Sequence, residues 1–239
     1  MSTGDAILTA TALRAWYGRA QVLFDVDIEL PRSAALALVG RNGAGKSTLM
    51  KALMGLEQAR AKAITFDGQS IAGLPTHEIA KRGLGFVPED RRIFTNLTVS
   101  ENLETGRQVE REGVEPWTAE RIFALFPNLA AMQNRSAREM SGGEQQMLAV
   151  ARTLMGNPKA LLLDEPSEGL APVIVDAMAD AIGKLRGEGL SIVLSEQNLR
   201  FASLVCDSAI VLASGAVTYR GALKPLVDDH EMLEDKLGL

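Results

Sequence analysis

The spacing of apolar residues switches repeatedly between that of a strand and that of a helix along this chain. Apolar runs of strand length occur at residues 34–40, 84–89, 159–166, 191–196 and 208–215. Helical spacing separates them, as in 47–56 and 173–189. The runs show no polar alternation, which is typical of strands that are buried on both faces. The pattern therefore predicts an α/β fold with a mostly parallel sheet between layers of helices.

Residues 98–154 interrupt this pattern with helical signals and almost no strand signal. The segments VSENLETGRQ, AERIFALFPNL and GEQQMLAVARTLMG are amphipathic or apolar at the helical period. We predict an inserted helical subdomain at about 98–154 within a core that comprises about 1–97 and 155–221. The tail, residues 222–239, is predicted to be a solvated amphipathic helix.

Composition narrows the class of protein. The 239 residues are 46% hydrophobic and 23% charged, with a formal net charge of −5. These values are typical of one large soluble domain, and the acidic balance argues against nucleic acid as the main partner. No signal peptide and no bilayer-spanning run is recognised, so we expect a cytoplasmic protein that reaches a membrane only through a partner. The single cysteine, Cys206, lies in the apolar run FASLVC and is expected to be buried.

The segment GRNGAGKS, residues 40–47, follows a predicted strand and precedes a predicted helix. It fits G-x-x-x-x-G-K-S, in which glycines let backbone amides approach phosphate oxygens and the helix start faces the same anion. Lys46 is expected to neutralise nucleotide phosphates, and Ser47 to bind Mg²⁺. A glycine-rich turn with a chance lysine would not explain both flanking elements. The residues predicted to contact the nucleotide here are Gly40, Arg41, Asn42, Gly43, Ala44, Gly45, Lys46, Ser47 and Thr48.

Two other predicted strands end in polar residues. Asp164 and Glu165 follow the apolar run ALLL, where Asp164 is suited to hold Mg²⁺ and Glu165 to polarise a water molecule for attack on a γ-phosphate. A charged loop would explain this pair taken alone, but not beside a phosphate loop. The segment SIVLSEQN, residues 191–198, ends in four polar residues and indicates either a loop or part of a site. No N-K-x-D motif for guanine is present, which argues against a GTPase.

The segment MSGGEQQ, residues 140–146, predicts a helix that Ser141 caps, with glycines that expose backbone amides as a second anion site. With this motif the sequence resembles the ATP-binding cassette (ABC) ATPases, whose signature L-S-G-G-Q reads M-S-G-G-E here. The resemblance covers nearly the whole chain. It implies a P-loop NTPase (RecA-like) core with a mostly parallel sheet, an N-terminal antiparallel β subdomain and an inserted α-helical subdomain. It also implies ATP hydrolysis by head-to-tail subunits, in which Ser141, Gly142, Gly143 and Glu144 close over the partner's ATP.

The same resemblance implies roles for further residues. Tyr17 matches the aromatic residue that stacks on adenine, with its neighbour Trp16 as the alternative. Glu89 stands where most of the family has a glutamine that touches Mg²⁺, and a carboxylate is also a suitable ligand. Gln197 stands where most members have a histidine near the γ-phosphate. Because glutamine cannot change charge near neutral pH, Gln197 is interpreted as a positioning group, which leaves Glu165 as the main candidate base.

The combination of VPEDRRIF, SGGEQQ, DEPSEGLAPVIV and SEQN is similar to the ATPase subunits of bacterial branched-chain amino-acid importers, and more loosely to urea and amide importers. The resemblance implies transmembrane permease subunits, a periplasmic solute-binding protein and a second ATPase subunit, usually a different chain, although a homodimer is possible. It implies a location on the inner face of the cell membrane. A soluble ABC ATPase of translation or DNA maintenance would usually have two cassettes or a coiled-coil insertion, and a phosphotransferase would not explain MSGGEQQ.

Overall fold

The computed structural model describes residues 6–111 and 115–238. The strands are β1 Ala6–Tyr17, β2 Ala20–Pro31, β3 Ala35–Val39, β4 Gln58–Arg60, β5 Ala63–Phe66, β6 Gln69–Ser70, β7 Leu84–Val87, β8 Ala160–Asp164, β9 Ser191–Glu196, β10 Ser208–Ala213 and β11 Ala216–Ala222. The helices are α1 Lys46–Leu53, α2 Thr76–Lys81, α3 Val99–Gly106, α4 Ala119–Leu125, α5 Pro127–Ala130, α6 Gly142–Leu154, α7 Pro172–Gly187, α8 Leu199–Val205, α9 Lys224–Asp228 and α10 His230–Leu237.

A mostly parallel sheet forms the centre of the molecule, with the strand order β11-β10-β3-β9-β8-β7. Every pair from β10 to β7 is parallel, and β11 is antiparallel to β10. The prediction of an α/β fold with a mostly parallel sheet is confirmed. Because β3, β8 and β9 are adjacent, the polar residues that follow their carboxyl ends meet at one edge of the sheet.

The N-terminal sheet is antiparallel and has the order β2-β1-β5-β6, with β4 also paired to β1. Its long strands contain register shifts, and Ala12 and Asp25 adopt positive φ angles of 49° and 48°. The Ala12 amide donates to the Asp27 carboxylate at 2.7 Å. Such bulges interrupt the alternation of buried and exposed side chains, so residues 6–31 lack the regular period of two in the sequence.

Apolar side chains pack on both faces of the parallel sheet. Leu163 and Leu194 belong to a cluster with helices α3 to α8, whereas Leu162 and Val193 pack with α1 and the antiparallel sheet. Cys206 belongs to the first cluster and is 4% exposed, which confirms its prediction as a buried side chain. Burial raises the pKa of its thiol to about 12.

Helices α3 to α6 occupy the segment in which the sequence showed helical signals. Thr98 caps α3 in a reciprocal box with Glu101, because each side chain accepts a hydrogen bond from the other residue's amide. The helical segment AERIFALFPNL is divided into α4 and α5 at Phe126. The reason is Pro127, which has no N–H to continue the hydrogen-bond ladder and instead begins α5.

The prediction of a single helix in the tail is wrong. Strand β11 extends to Ala222, and two short helices, α9 and α10, follow it. Asp229 separates them and caps α10, since its carboxylate accepts a hydrogen bond from the Met232 amide at 2.9 Å. Leu233 packs from α10 against the core, so one side of the tail is not solvated. None of the helices within 6–111 and 115–238 combines the length and apolar composition needed to cross a bilayer.

Candidate functional site

The loop between β3 and α1 has a backbone shape that depends on glycine. Gly43 and Gly45 adopt φ angles of 80° and 107°, a region that L side chains rarely enter. A Cβ atom on Gly45 would also lie 2.6 Å from the Leu23 Cδ2 atom. Gly45 precedes α1 and offers no side-chain acceptor to its first turn. This backbone shape and the uncapped start of α1 are suited to a phosphate group.

Lys46 is buried, and its ammonium group is held inside this loop. The Nζ atom donates to the carbonyls of Gly40 at 2.8 Å and Arg41 at 3.1 Å. It also lies 3.0 Å from the Glu165 Oε1 atom. The cation therefore connects the phosphate loop with the end of β8.

Ser47 and Asp164 form the next contact at this edge. The Ser47 hydroxyl donates to the Asp164 Oδ1 atom at 3.0 Å, and Asp164 is 1% exposed. Burial raises the pKa of Asp164, and the hydrogen bond from Ser47 offsets only part of that rise. Glu89 is exposed, and its charge is a smaller contribution to the raised pKa of Asp164. Within the described residues, no group of three His, Cys, Asp or Glu side chains could hold a metal ion.

This oxygen pair nevertheless fits Mg²⁺. Mg²⁺ usually takes one or two carboxylates or hydroxyls from the protein and completes its shell with phosphate and water. Ser47 and Asp164 supply such a pair beside the phosphate loop. A buried carboxylate with a raised pKa is also a site where a cation relieves the cost of burial.

Glu165 is held in place by contacts from two directions. Its backbone has a φ of 45°, a strained value for a residue with a Cβ atom. Lys46 contacts Oε1, and the Gln197 amide donates to Oε2 at 2.8 Å. Burial alone would raise the pKa of Glu165, but the hydrogen bonds from Lys46 and Gln197 and the Lys46 charge outweigh it, so the pKa is lowered.

The end of SIVLSEQN therefore lies against the residues that follow β8 and β3. Ser195 pairs with Asp164 in the sheet register. The Gln197 Nε2 atom also donates to the Asn42 Oδ1 atom at 2.6 Å, and so reaches the phosphate loop itself. Gln197 thus joins four side chains at the start of α1. They are the cation Lys46, the oxygen pair of Ser47 and Asp164, and the carboxylate Glu165.

The comparisons with known proteins agree with this geometry. The sequence profile of the family described as "ABC transporter" matches residues 23–168. The chain belongs to the ABC transporter family. It is an ATP-binding protein of that family and hydrolyses ATP.

Full-length relatives of this ABC ATPase are known. It is 39% identical over 232 residues to the high-affinity branched-chain amino acid transport ATP-binding protein BraG of Pseudomonas aeruginosa, covering 97% of this chain and 100% of BraG. It is 39% identical over 233 residues to the probable branched-chain amino acid transport ATP-binding protein LivF of Archaeoglobus fulgidus, covering 95% and 97%. The lipopolysaccharide export system ATP-binding protein LptB of Haemophilus influenzae is 32% identical over 235 residues, covering 98% of both.

Solved structures have the same fold as this ABC ATPase. A nucleotide-free ATP-binding cassette from an ABC transporter superposes with a TM-score of 0.82 at 24% identity, covering 96% of this chain and 98% of that one. An ATP-binding subunit of an ABC transporter superposes with a TM-score of 0.81 at 27% identity, covering 98% and 100%. The predicted P-loop NTPase fold is therefore confirmed.

The signature segment of this ABC ATPase begins α6 on an exposed surface. Ser141 accepts from the Glu144 amide at 3.4 Å, and the Glu144 carboxylate accepts from the Ser141 amide at 2.7 Å. Ser141 and Gly142 are exposed, whereas Gly143 is buried. A Cβ atom added to Gly143 would lie 2.7 Å from the Ile174 Cγ2 atom, so this position has no room for a side chain. Within the described ranges, no hydrogen bond or salt bridge links 141–144 to 40–48. The start of α6 therefore makes no polar contact with the phosphate loop of the same chain.

The two aromatic candidates at the end of β1 differ in exposure. Tyr17 is the last residue of β1 and is 72% exposed. Trp16 is half-buried, and the Arg60 guanidinium lies 5.8 Å from its ring centroid. The Tyr17 ring is thus more accessible than the Trp16 ring.

Two carboxylates at this edge were not recognised from the sequence. Glu168 shares a hydrogen bond with Glu165, which raises the pKa of Glu168. Glu196 is buried at the end of β9 and accepts a hydrogen bond from the Ser167 amide at 3.0 Å. Burial also raises the pKa of Glu196. A signal for Glu196 was present, since an acidic residue in a buried strand requires compensating donors.

Proposed function

We propose that this chain is the ATP-hydrolysing subunit of a bacterial ABC importer for branched-chain amino acids or related small polar solutes. The observation that carries the proposal is the convergence of Lys46, Ser47, Asp164, Glu165 and Gln197 at one sheet edge. The full-length relatives at 39% identity, both branched-chain amino acid transport proteins by name, support the class of cargo. A urea or amide importer of similar build and a non-transport ABC ATPase are the alternatives.

The proposed roles follow the geometry. ATP would contact the loop from Gly40 to Thr48, with adenine stacked on Tyr17. Ser47 and Asp164 would hold Mg²⁺, with Glu89 as a further ligand from the exposed rim. An ion held there would supply positive charge against the charge that develops on the phosphoryl group. Ser141, Gly142, Gly143 and Glu144 would contact the nucleotide of the partner subunit.

Lys46 links nucleotide binding to the activity of Glu165 in this proposal. Lys46 lies against Glu165 and lowers its pKa. Phosphate oxygens would compete for the same ammonium group, which removes that contact. Loss of that contact removes a cause of the lowered pKa of Glu165, and a more basic carboxylate is better suited to take a proton from water. Gln197 keeps Glu165 oriented and carries no proton.

The permease would dock on a groove beside the segment that follows Glu89. This groove has a volume of about 480 Å³, includes exposed Leu56 and Phe94, and carries the cations Lys81, Arg92 and Arg152. No Asp or Glu occurs among the described residues that line it. The Arg152 Nη1 atom is buried without a partner in the same part of the chain. Lys81 and Arg92 already form ion pairs with Glu78 and Asp90, so the Arg152 guanidinium is the group that favours a permease helix with an acidic side chain.

The remaining partners and the division of the chain are part of the same proposal. The second ATPase subunit is expected to be a different chain, with a second copy of this one as the alternative. A periplasmic solute-binding protein would act through the permease, and the complex would lie on the inner face of the membrane. Residues 98–154 would move as a helical subdomain against the core of about 1–97 and 155–221, and the tail would follow from 222.

The test is Glu165→Gln in the complex purified through a tag on this chain. The variant should bind ATP normally, because the phosphate loop is intact, but lose about 100-fold or more in turnover. Binding is measured with a fluorescent ATP analogue and turnover by phosphate release. Glu231→Gln, an exposed carboxylate in α10, is the matched control and should hydrolyse ATP normally. Undiminished turnover in Glu165→Gln would reject the role of Glu165 as base.

A further inference from the structure

Glu196 is a buried carboxylate at the sheet edge where β3, β8 and β9 end. It has no part in the proposed roles of Lys46, Glu165 and Gln197. It is the last residue of β9 and is 2% exposed. It forms no salt bridge with any described residue. Instead, the backbone amide of Ser167 donates to Oε1 at 3.0 Å and the amide of Asn198 donates to Oε2 at 3.4 Å. A carboxylate removed from water requires such donors, so these two contacts account for its burial.

The two amides come from different segments of the chain. Ser167 lies two residues after Glu165, in the turn that leads to α7. Asn198 directly follows Gln197 and caps α8 through its own side chain, which accepts from the Phe201 amide at 3.1 Å. Glu196 thus joins the segment that carries the candidate base to the segment that carries Gln197.

The side chain of Glu196 lies away from the oxygen pair that fits Mg²⁺. Successive side chains of a strand point to opposite faces. Leu194 shares the face of Glu196 and packs with helices α3 to α8, whereas Ser195 is on the other face, in register with Asp164. Glu196 therefore acts on the backbone around the site and does not contact the nucleotide.

We propose that Glu196 is a positioning residue for ATP hydrolysis. By fixing the Ser167 amide to the end of β9, it keeps the Gln197 side chain within hydrogen-bond distance of Glu165. This inference rests on the proposed roles of Glu165 and Gln197. A displacement of about 1 Å at a reacting group can lower the rate by about 100-fold. Loss of the contact between Glu196 and the Ser167 amide is therefore expected to slow turnover.

The first test compares Glu196→Ala with Glu196→Gln by steady-state hydrolysis in the purified complex. Alanine leaves both amides without an acceptor, and kcat should fall by about 10- to 100-fold while KM for ATP changes by less than about threefold. Glutamine retains one acceptor oxygen for the Ser167 amide and should restore most of kcat. Glu196→Asp keeps the charge but shortens the reach, and should restore less than glutamine does.

Ser191→Ala is the matched control at the other end of β9. Ser191 is 1% exposed, and its hydroxyl accepts from the Ser33 amide at 2.9 Å. Its loss removes a buried hydrogen bond from the same strand but leaves the catalytic edge intact, so kcat should be unchanged. An equal fall in kcat for Ser191→Ala would show that Glu196 acts only through the stability of the strand.

The second test combines Glu196→Ala with Gln197→Ala. If Glu196 acts through Gln197, the double variant should lose no more activity than Gln197→Ala alone. Full additivity, or wild-type kcat in Glu196→Ala, would overturn the inference. Should Glu196→Ala not fold, the same comparison is made with Glu196→Asp. Normal hydrolysis in Gln197→Ala alone would instead refute the proposed role of Gln197, so the two failures are distinguishable.

Discussion

Asp164 and Glu165 are adjacent carboxylates whose pKa values are shifted in opposite directions. Burial raises the pKa of Asp164, which has a hydroxyl partner but no cation. Glu165 is also buried, but Lys46 and Gln197 lower its pKa. The ionised form of Asp164 therefore lowers the free energy of unfolding, whereas the ionised form of Glu165 raises it.

We predict that Asp164→Asn stabilises the nucleotide-free protein at neutral pH by on the order of 1 kcal/mol. A raised pKa means that ionised Asp164 destabilises the folded state. That cost is absent below its unfolded pKa and reaches its full size above its folded pKa. The advantage of asparagine should therefore grow with rising pH, while Mg²⁺-dependent stabilisation by ATP is lost. Urea unfolding at two pH values measures this, and a less stable Asp164→Asn protein at neutral pH contradicts it.

Glu165→Gln should shift stability in the other direction. The lowered pKa of Glu165 contributes stability that is present above its unfolded pKa and is lost as pH falls through its folded pKa. Removing the charge leaves Lys46 buried with only carbonyl partners, so the free energy of unfolding should fall by about 1–3 kcal/mol at neutral pH. The same urea titrations report it. An unchanged stability would show that the Lys46 contact contributes little without nucleotide.

At the scale of elements, Asn102 fixes the segment that precedes α3. It is fully buried, and its Oδ1 atom accepts from the Phe94 amide at 2.9 Å. Its Nδ2 atom donates to the carbonyls of Phe94 at 3.0 Å and Thr98 at 2.9 Å. One amide side chain thus orders the exposed Phe94 at the proposed permease groove.

We predict that Asn102→Ala loosens this segment and weakens docking of the permease. Buried backbone groups lose their partners, so the free energy of unfolding should fall by about 1–3 kcal/mol. ATP affinity should be retained, because the phosphate loop is elsewhere, while copurification with the permease decreases. The control is Asn134→Ala, at an exposed asparagine. Normal copurification by Asn102→Ala would contradict the role of the segment.

The elements that the sequence predicted well are those with local signals. The phosphate loop depends on glycines within eight residues, and the buried runs of β3, β8 and β9 indicate strands. Their order in the sheet is not visible in the sequence; only the family resemblance implied that Gln197 lies near the γ-phosphate, and the adjacency of β9 and β8 brings it to Glu165. The division of the tail at Asp229 was missed, because an aspartate can be recognised as a helix cap only when the start of the following helix is known. The role of Glu196 was missed because its partners are backbone amides: an acidic residue in a buried strand indicates that donors are needed, but the sequence does not indicate which amides supply them.

At the scale of the whole molecule, the two helix starts that could bind phosphate lie on separate parts of one chain. We predict that Glu165→Gln protein with ATP stays monomeric alone, at 25.6 kDa, and forms a one-to-one complex when the second ATPase subunit is added. Ser141→Asn can still cap α6 but adds bulk at the exposed signature, so it should weaken that complex. Sedimentation measures the masses, and an ATP-dependent homodimer of the chain alone would contradict the prediction of unlike subunits.

The burial of Cys206 makes the chain suitable for spectroscopic labelling. A thiol with a pKa of about 12 is almost entirely protonated at neutral pH, and the apolar core around Cys206 keeps reagents away from it. Cys206 is therefore not expected to react with maleimides. The native sequence therefore serves as a background without reactive thiols. A cysteine introduced at exposed Glu231, outside the nucleotide and signature segments, would be the single labelled position on this chain, and its distance from a label on the partner subunit would report subunit closure.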